Sequence, residues 1–600
     1  MRQIIRPLFA AALAVSCLLA GGATDPRRYI SHVKFLASPE LKGRGSGTPE
    51  LEEAAGYIVK QFREDGLKPL DSQGYEQAFP VTVNAKMGSK NRLEWAANGS
   101  THELKVSDEF NPFNFSSSGT VTSGVVFAGY GVTANEYHYD DYANVDVKGK
   151  IVLILRHEPQ ENDDKSPFGG RALTMHAGLD NKAANARIHG AAAVVLVNDL
   201  PNHPGDKDAV DKFARAVGPN TPGIPFVQVK GEVAAAWLAA AGKNLNGLAA
   251  AIDKDLKPQS FALPEGLRVT METDVERQSK TVHNIVGWLP GESSEYVIIG
   301  AHYDHLGLGE QNSLAIGDQQ GKPHLGADDN ASGTAGVLEL ARYFARGPKP
   351  RRGLVFITFA AEELGLLGSG YYVNHPELPL DKCVAMINLD MIGRIRDGKV
   401  YVGGSGTGST FQKLLQDVKA NYKLTLDVSE QAGYGSSDHA SFTPRDVPVL
   451  FFFSGLHADY HRPSDTWDKI DAEEASQLLD FVADVATRLA DAPDRPKYVK
   501  IAPPRPAGGG GGYGAWFGSM PDFAEVPNGF RFADVMPNSP AMKAGLKAGD
   551  VLFEFDGRPI GNLYDFTAAL RTRKPGDTVP VKVHRGDRVV EATVTLETRR

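Results

Sequence analysis

The chain has 600 residues, of which 42% are hydrophobic and 23% charged, with a formal net charge of −9. That length is too great for one core, and about three or four domains are expected. The composition excludes a disordered or fibrous chain, and the mildly acidic balance argues against nucleic acid as a partner.

Residues 1–23 read as an export signal. Arg2 and Arg6 supply the positive start, Leu8 to Ala20 an apolar run too short to span a membrane comfortably, and Gly21, Gly22 and Ala23 the small residues for cleavage. Ala14, Val15 and Ser16 make a poor lipidation box before Cys17. The expectation is therefore a cleaved signal and a periplasmic or secreted bacterial protein rather than a lipoprotein. No later stretch has a membrane-spanning apolar run. Removal of the signal leaves Cys383 without a disulfide partner, and its apolar, strand-like surroundings mark it as a buried inert thiol.

Residues 24–110 open the main domain. In PELEEAAGYIVKQFREDGLKPL, Ala54, Ile58 and Phe62 recur at near-helical spacing before Gly66 and Pro69 close the element. Residues 111–262 change texture. Short apolar runs (GVVFAGYGV, GKIVLIL, AAAVVLVND, GIPFVQV) are separated by Gly, Asn, Asp and Pro, which predicts a β-rich module with LDNKAANARIHGA as its helix. Its His138, His176 and His189 read as surface or structural residues.

Across 263–497, apolar strand candidates (VHNIVGWL, YVIIGAHYD, GLVFITFAAEE, CVAMINLDMIG, VPVLFFF) alternate with helical patterns (SGTAGVLELARYFARG, STFQKLLQDVKANY, EEASQLLDFVADVATRLAD). That alternation predicts an α/β fold, a mixed, mostly parallel sheet flanked by helices, with the β-rich block inserted into it. Residues 498–514 form a Pro/Gly linker with five consecutive glycines, and 515–600 a compact unit of short strands and helices.

Acidic and histidine residues cluster at the ends of these strands. His302 and Asp304 lie where YVIIGAHYDH runs into a loop, Asp329 in GADDNASG just before a helix, Glu362 and Glu363 at the end of GLVFITFAAEE, Asp390 at the end of CVAMINLD, and His461 in DYHRPSD after VPVLFFF. Ligand sites in open α/β sheets gather at this carboxyl edge. Two imidazoles and three carboxylates are enough to hold two zinc ions with one carboxylate shared, and Glu362 stands ready as a proton shuttle. Asp304 is placed to orient His302, since a zinc-bound imidazole usually gives its other N–H to a carboxylate. No rival arrangement competes: there is no GxSxG elbow, no histidine motif beside Cys383, and no P-loop lysine near the glycine run.

HYDH, GADDNASG, AEELGLLGS, NLDMIG, GSSDHASF and YHRPSDT resemble the motifs of the secreted co-catalytic two-zinc aminopeptidases, a family that includes glutamate carboxypeptidases and, more distantly, glutaminyl cyclases. The likeness covers roughly residues 280–490, and GRGSGTPELEEAAGYIVKQFREDGL is similar to the family's opening. The insert resembles a protease-associated (PA) domain and the C-terminal unit a PDZ domain. The resemblance implies two Zn²⁺ per chain, one on His302 and Asp390, the other on Glu363 and His461, bridged by Asp329 as the second acid of GADD. It implies Glu362 as general base, Asp304 as the aspartate behind His302, and Tyr434 as a stabiliser of the tetrahedral intermediate. In the PDZ-like unit Trp516, Phe517 and Gly518 would form a loop binding protein C-termini, or Trp516 and Phe517 would be core residues.

The expected activity is removal of N-terminal residues from peptides, with no nucleic acid and no transmembrane segment. Two alternatives stand beside it. A dizinc carboxypeptidase would use the same scaffold, although the sequence shows no arginine cluster to hold a substrate carboxylate. A receptor-like peptide-binding protein would have lost ligands that this chain keeps.

Overall fold

The computed structural model describes residues 24–598 except 71–73, 135–136, 164, 171–172, 204, 214–221, 436, 502–514, 523–525 and 572. The export signal with Cys17 and most of the Pro/Gly linker lie outside the described residues. No helix among the described residues is long and apolar enough to cross a membrane.

The largest sheet has eight strands in the order Glu76–Met87, Val275–Leu289, Gly353–Phe359, Tyr296–His302, Cys383–Leu389, Val449–Phe453, Lys399–Gly403, Thr425–Asp427. Its centre is parallel: Tyr296–His302 pairs in parallel with Gly353–Phe359 and Cys383–Leu389, and Cys383–Leu389 with Val449–Phe453. All seven residues of each of the three innermost strands are buried. This explains their unbroken apolar runs, as a strand covered on both faces has no polar side. Val297 and Ile299 pack into a core with the helices Pro26–Leu36, Pro49–Glu64, Gly333–Arg346 and Ala472–Asp491. Tyr296 and Ile298 point to the opposite face, where Phe359, Tyr372 and Met386 form a second core. The alternation is the two-residue period of a pleated strand.

Helix Pro49–Glu64 shows how local sequence sets these elements. Thr48 caps it by accepting a hydrogen bond from the Leu51 N–H, Pro49 starts it, and Glu50 and Glu52 sit in the first turn. Leu51, Ala54, Ala55, Ile58 and Phe62 form its buried stripe, and Gly66 turns the chain away at φ 83°.

The chain leaves this sheet after Met87 and returns at Val275, a wider excursion than 111–262. Arg92–Ala97 and Ser100–Glu103 join Arg268–Thr273 and Gly119–Ser123 in a four-stranded sheet. The insert's main sheet has six strands, with Val125–Phe127, Ile151–Leu155, Ala193–Val197 and Phe226–Val229 parallel at its centre. The expected helix spans Leu179–Ile188. Two further helices, Gly231–Ala239 and Leu245–Asp255, were not expected. They come from an Ala- and Leu-rich run of high intrinsic helix propensity, the second capped by Asn244.

The C-terminal unit has its own core around Phe517, Phe532, Phe555 and Phe566. It docks on both other domains. Asp534 accepts hydrogen bonds from Tyr434 (2.7 Å) and Lys500 (2.6 Å), and Asp565 accepts one from the insert's Arg187 (2.8 Å). Ile188 packs against the unit's core.

Candidate metal centre

Four parallel strands deliver their C-terminal ends to one edge of the large sheet, and the predicted donors meet there. His302 ends its strand, Glu362 and Glu363 follow Gly353–Phe359, Asp390 follows Cys383–Leu389, and His461 lies in the loop after Val449–Phe453. Asp329 sits in the turn leading into helix Gly333–Arg346. That turn begins at Gly326 (φ 57°), where a Cβ would lie 2.2 Å from the Asp329 carbonyl oxygen and 2.5 Å from the His305 ring. The Asn330 side chain pins the turn to the next strand: Oδ1 accepts from the Gly333 and Met391 N–H groups, and Nδ2 donates to the Leu389 carbonyl.

The donors fall into two groups that share Asp329, one with His302 and Asp390 and one with His305 and Glu363, and His461 stands beside the second. His302 Nε2 lies 3.5 Å from Asp329 Oδ1 and 3.4 Å from Asp390 Oδ1. His461 Nε2 lies 3.3 Å from both Asp329 Oδ2 and Glu363 Oε2. Donors about 2.0–2.2 Å from a tetrahedral zinc would stand roughly 3.3–3.6 Å apart, so these separations fit donors facing a common cation. Asp390 Oδ1 is buried and makes no hydrogen bond, a costly state for a carboxylate oxygen without a counter-charge.

Asp304 is fully buried. Its Oδ1 accepts the Glu362 N–H (3.0 Å) and its Oδ2 the Ser46 hydroxyl (2.9 Å). Its Oδ1 stands 3.9 Å from His302 Nδ1, while the Asp304 carbonyl oxygen is nearer at 3.2 Å. Asp304 thus ties the strand bearing His302 to the segment bearing Glu362. Asp465 Oδ2 accepts the N–H groups of Asp328 and Asp329 and is itself held by Arg394.

The electrostatics follow from crowding acids in a buried crevice. Burial, reinforced by Glu363, Asp438 and Asp390, raises the Glu362 pKa well above its ordinary value. Burial also raises Asp304, to about 6, and Asp329. Glu363 goes the other way: burial pushes it up, but hydrogen bonds from His305 and His461 more than reverse that. Burial would lower His302, yet the carboxylates of Glu362, Asp390 and Asp329 raise it well above 6.5. His461 is raised to about 10, where Asp329 and Glu363 outweigh burial.

His305 was missed in the sequence although it is the second histidine of HYDH. Its Nδ1 is 2.8 Å from Glu363 Oε1 and 3.9 Å from Asp329 Oδ2. The short contact is a hydrogen-bond length that supports Glu363, whereas His461 keeps the wider, even spacing. Beside this corner a cavity of about 380 Å³ opens, lined by Ser46, Glu310, His305 and Glu363 among others.

Tyr434 and the residues of the PDZ-like loop have definite partners in the structure. Tyr434 donates its hydroxyl to Asp534 of the C-terminal unit. That contact competes for the hydroxyl with the role the resemblance implied. Phe517 is 1% exposed and packs on Phe532, Phe555 and Phe566, so it is a core residue. Trp516 belongs to a short strand paired with Glu597–Thr598, and Gly518 takes φ 86° with its carbonyl accepting the Met536 N–H. Cys383 is buried, and burial pushes its thiol up to about 12, which fits an inert thiol.

Comparison with known proteins matches residues 284–486 to Peptidase family M28, 118–237 to the PA domain and 522–596 to the PDZ domain. Aminopeptidase YwaD of Bacillus subtilis (strain 168) is 28% identical over 386 residues, 62% of this chain and 70% of that protein. Leupeptin-inactivating enzyme 1 of Streptomyces exfoliatus is 33% identical over 259 residues, 41% of this chain. The aligned part spans 53% of that relative's length. Among solved structures, BSAP, a zinc aminopeptidase from Bacillus subtilis, aligns over 78% of this chain and 95% of its own at 22% identity and a TM-score of 0.44. The family match and the aminopeptidase relatives support a metallo-exopeptidase. Residues 284–486 are similar to Peptidase family M28, with a PA domain inserted before them and a PDZ domain after them.

Proposed function

We propose that the protein is an exported zinc aminopeptidase that releases N-terminal residues from peptides. The observation carrying this reading is the set of four nitrogen–oxygen separations between 3.3 and 3.5 Å around Asp329, whose two oxygens face His302 and His461 respectively. Two zinc ions fit that donor set, one with His302 and Asp390 and one with His461 and Glu363, with Asp329 shared. Zinc there would supply Lewis acidity towards the scissile carbonyl and acidify water.

The chain's own residues do the remaining work. The Glu362 side chain is only 11% exposed and carries a carboxyl of raised proton affinity. It takes the proton of the attacking water as the C–O bond forms and gives it to the departing amine as the C–N bond breaks. Asp304 fixes Glu362 through its backbone N–H and sets the strand end that presents His302. His305 holds the orientation of Glu363. The YwaD relative is an aminopeptidase by name, which favours a free amino terminus in the substrate.

The test compares a free-amine peptide with its N-blocked twin, while counting zinc per chain. Cleavage of the free peptide alone, lost on chelation and restored by zinc, is expected. Equal cleavage of the blocked peptide would overturn the aminopeptidase reading.

A further inference from the structure

A second histidine–carboxylate cluster lies far from the peptidase site in sequence, inside the PA insert. His157 follows strand Ile151–Leu155 and His203 follows strand Ala193–Val197, two neighbours that pair in parallel. Their loops therefore leave the same carboxyl edge of the insert's sheet, the edge where open α/β sheets place ligands. Glu161 stands one helical turn's spacing after His157 and reaches between the two rings.

The two nitrogen–oxygen contacts are closer than the 3.3–3.5 Å separations around Asp329, so binding a cation here would move the side chains slightly apart. His157 Nδ1 lies 3.0 Å from Glu161 Oε2, and His203 Nε2 lies 2.5 Å from Glu161 Oε1. One atom from each of the three residues falls within 4.8 Å of the others. Yet His157 Nδ1, Glu161 Oε1 and His203 Nε2 are all buried and none makes a hydrogen bond. Glu161 is only 5% exposed. A buried carboxylate held against two imidazole nitrogens, with none of these three atoms in a well-aligned hydrogen bond, suits a cation at the point where they converge.

The surroundings brace the three residues. Asp253 accepts the backbone N–H of Gln160 (2.8 Å) and the side-chain amide of Asn202 (2.9 Å), the neighbours of Glu161 and His203. Asn202 also donates to Asp199 (2.9 Å). On the far side of the His203 ring, the exposed Asp206 Oδ2 lies 3.8 Å from Nδ1, beyond hydrogen-bond length. His157 itself adopts φ 64° and Gln160 φ 57°, left-handed conformations that non-glycine residues keep only where the surroundings impose them.

We infer that His157, Glu161 and His203 form a binding site for a divalent transition-metal cation of the zinc class, separate from the peptidase centre. Two imidazoles and one carboxylate suit zinc and exclude magnesium or calcium as the preferred ion, since those take oxygen donors. The imidazole side chains are 25% and 35% exposed, which leaves water a place to complete the coordination. The ion would cross-link the loops after two adjacent strands of the insert, a structural role that does not depend on the proposed aminopeptidase chemistry.

The experiment uses the full chain, stripped with a chelator and titrated with Zn²⁺ or with Co²⁺ as a spectroscopic probe. In an Asp329→Asn background, which removes the shared donor of the peptidase centre, a Co²⁺ site with visible absorption of nitrogen–oxygen ligation is expected to remain. Adding His203→Gln or Glu161→Gln should abolish it. In the otherwise unaltered protein, His157→Gln and His203→Gln should each lower the bound zinc by one equivalent with turnover of a small substrate kept. Equal zinc content in the unaltered protein and in both of these folded, active variants would overturn the inference, as would an Asp329→Asn protein that keeps its fold but binds no Co²⁺.

Discussion

The catalytic domain and the PA insert both gather imidazole and carboxylate groups at the carboxyl edge of parallel strands, but they back them differently. At the peptidase edge five carboxylates and three histidines crowd a buried crevice, and several have a second residue behind them: Asp304 behind Glu362, His305 behind Glu363, Asp465 behind Asp329. At the insert's edge one carboxylate meets two partly exposed histidines, with Asp253 bracing their neighbours. Shared topology sets where donors collect, and the depth of their support sets what they can do. A deeply backed acid cluster can shift proton affinities and move protons, whereas a lightly backed trio can hold an ion and join loops.

The comparison can be broken at its strongest point first. Asp329→Asn should remove turnover to the assay background together with the zinc of the peptidase centre, read by metal analysis. Survival of both would mean that Asp329 is not shared. Glu362→Gln should lower kcat by about 10²–10⁴-fold while zinc content stays unchanged, which separates proton transfer from metal binding. Next comes acid stability. His439 is fully buried against Phe451, and burial depresses its pKa from 6.5 to about 4. Its unfolded form takes up a proton more readily, so stability present above about pH 6.5 is lost as the pH falls towards 4, at about 1 kcal/mol per pH unit. Urea midpoints of the parent and His439→Phe should diverge across that window, and parallel curves would refute the assignment. The smallest effect is expected at the domain contact. Asp534→Asn weakens the bonds to Tyr434 and Lys500, worth about 1–3 kcal/mol of docking, and should change kcat/KM for a small aminoacyl substrate by less than about threefold. A rise well beyond that would return Tyr434 to the catalytic machinery.

Sequence reading worked where chemistry and periodicity coincided. The five apolar runs ending in YVIIGAHYD, GLVFITFAAEE, CVAMINLDMIG and their kin became the central strands because a doubly covered strand writes itself as continuous hydrophobicity. Helices Gly333–Arg346 and Ala472–Asp491 were equally plain. Glu76–Met87 was not read as a strand, since Pro80 interrupts it; at the outer edge of the sheet a missing N–H is tolerated. His305 sat in view within HYDH, but only the fold shows its ring beside Glu363. His157 and His203 belong to loops joined by sheet pairing alone, and no spacing along the chain could connect them. Tyr434 found its partner in a different domain, beyond reach of any local motif.

Cys383, the one cysteine among the described residues, has a practical consequence. It lies on the central strand, 1% exposed, between neighbours that pair on both sides. A maleimide can reach it only when the middle of the sheet opens, so its labelling rate under native conditions is a clock for that opening. Run with and without chelator, the same clock would time how firmly metal locks the heart of the enzyme shut.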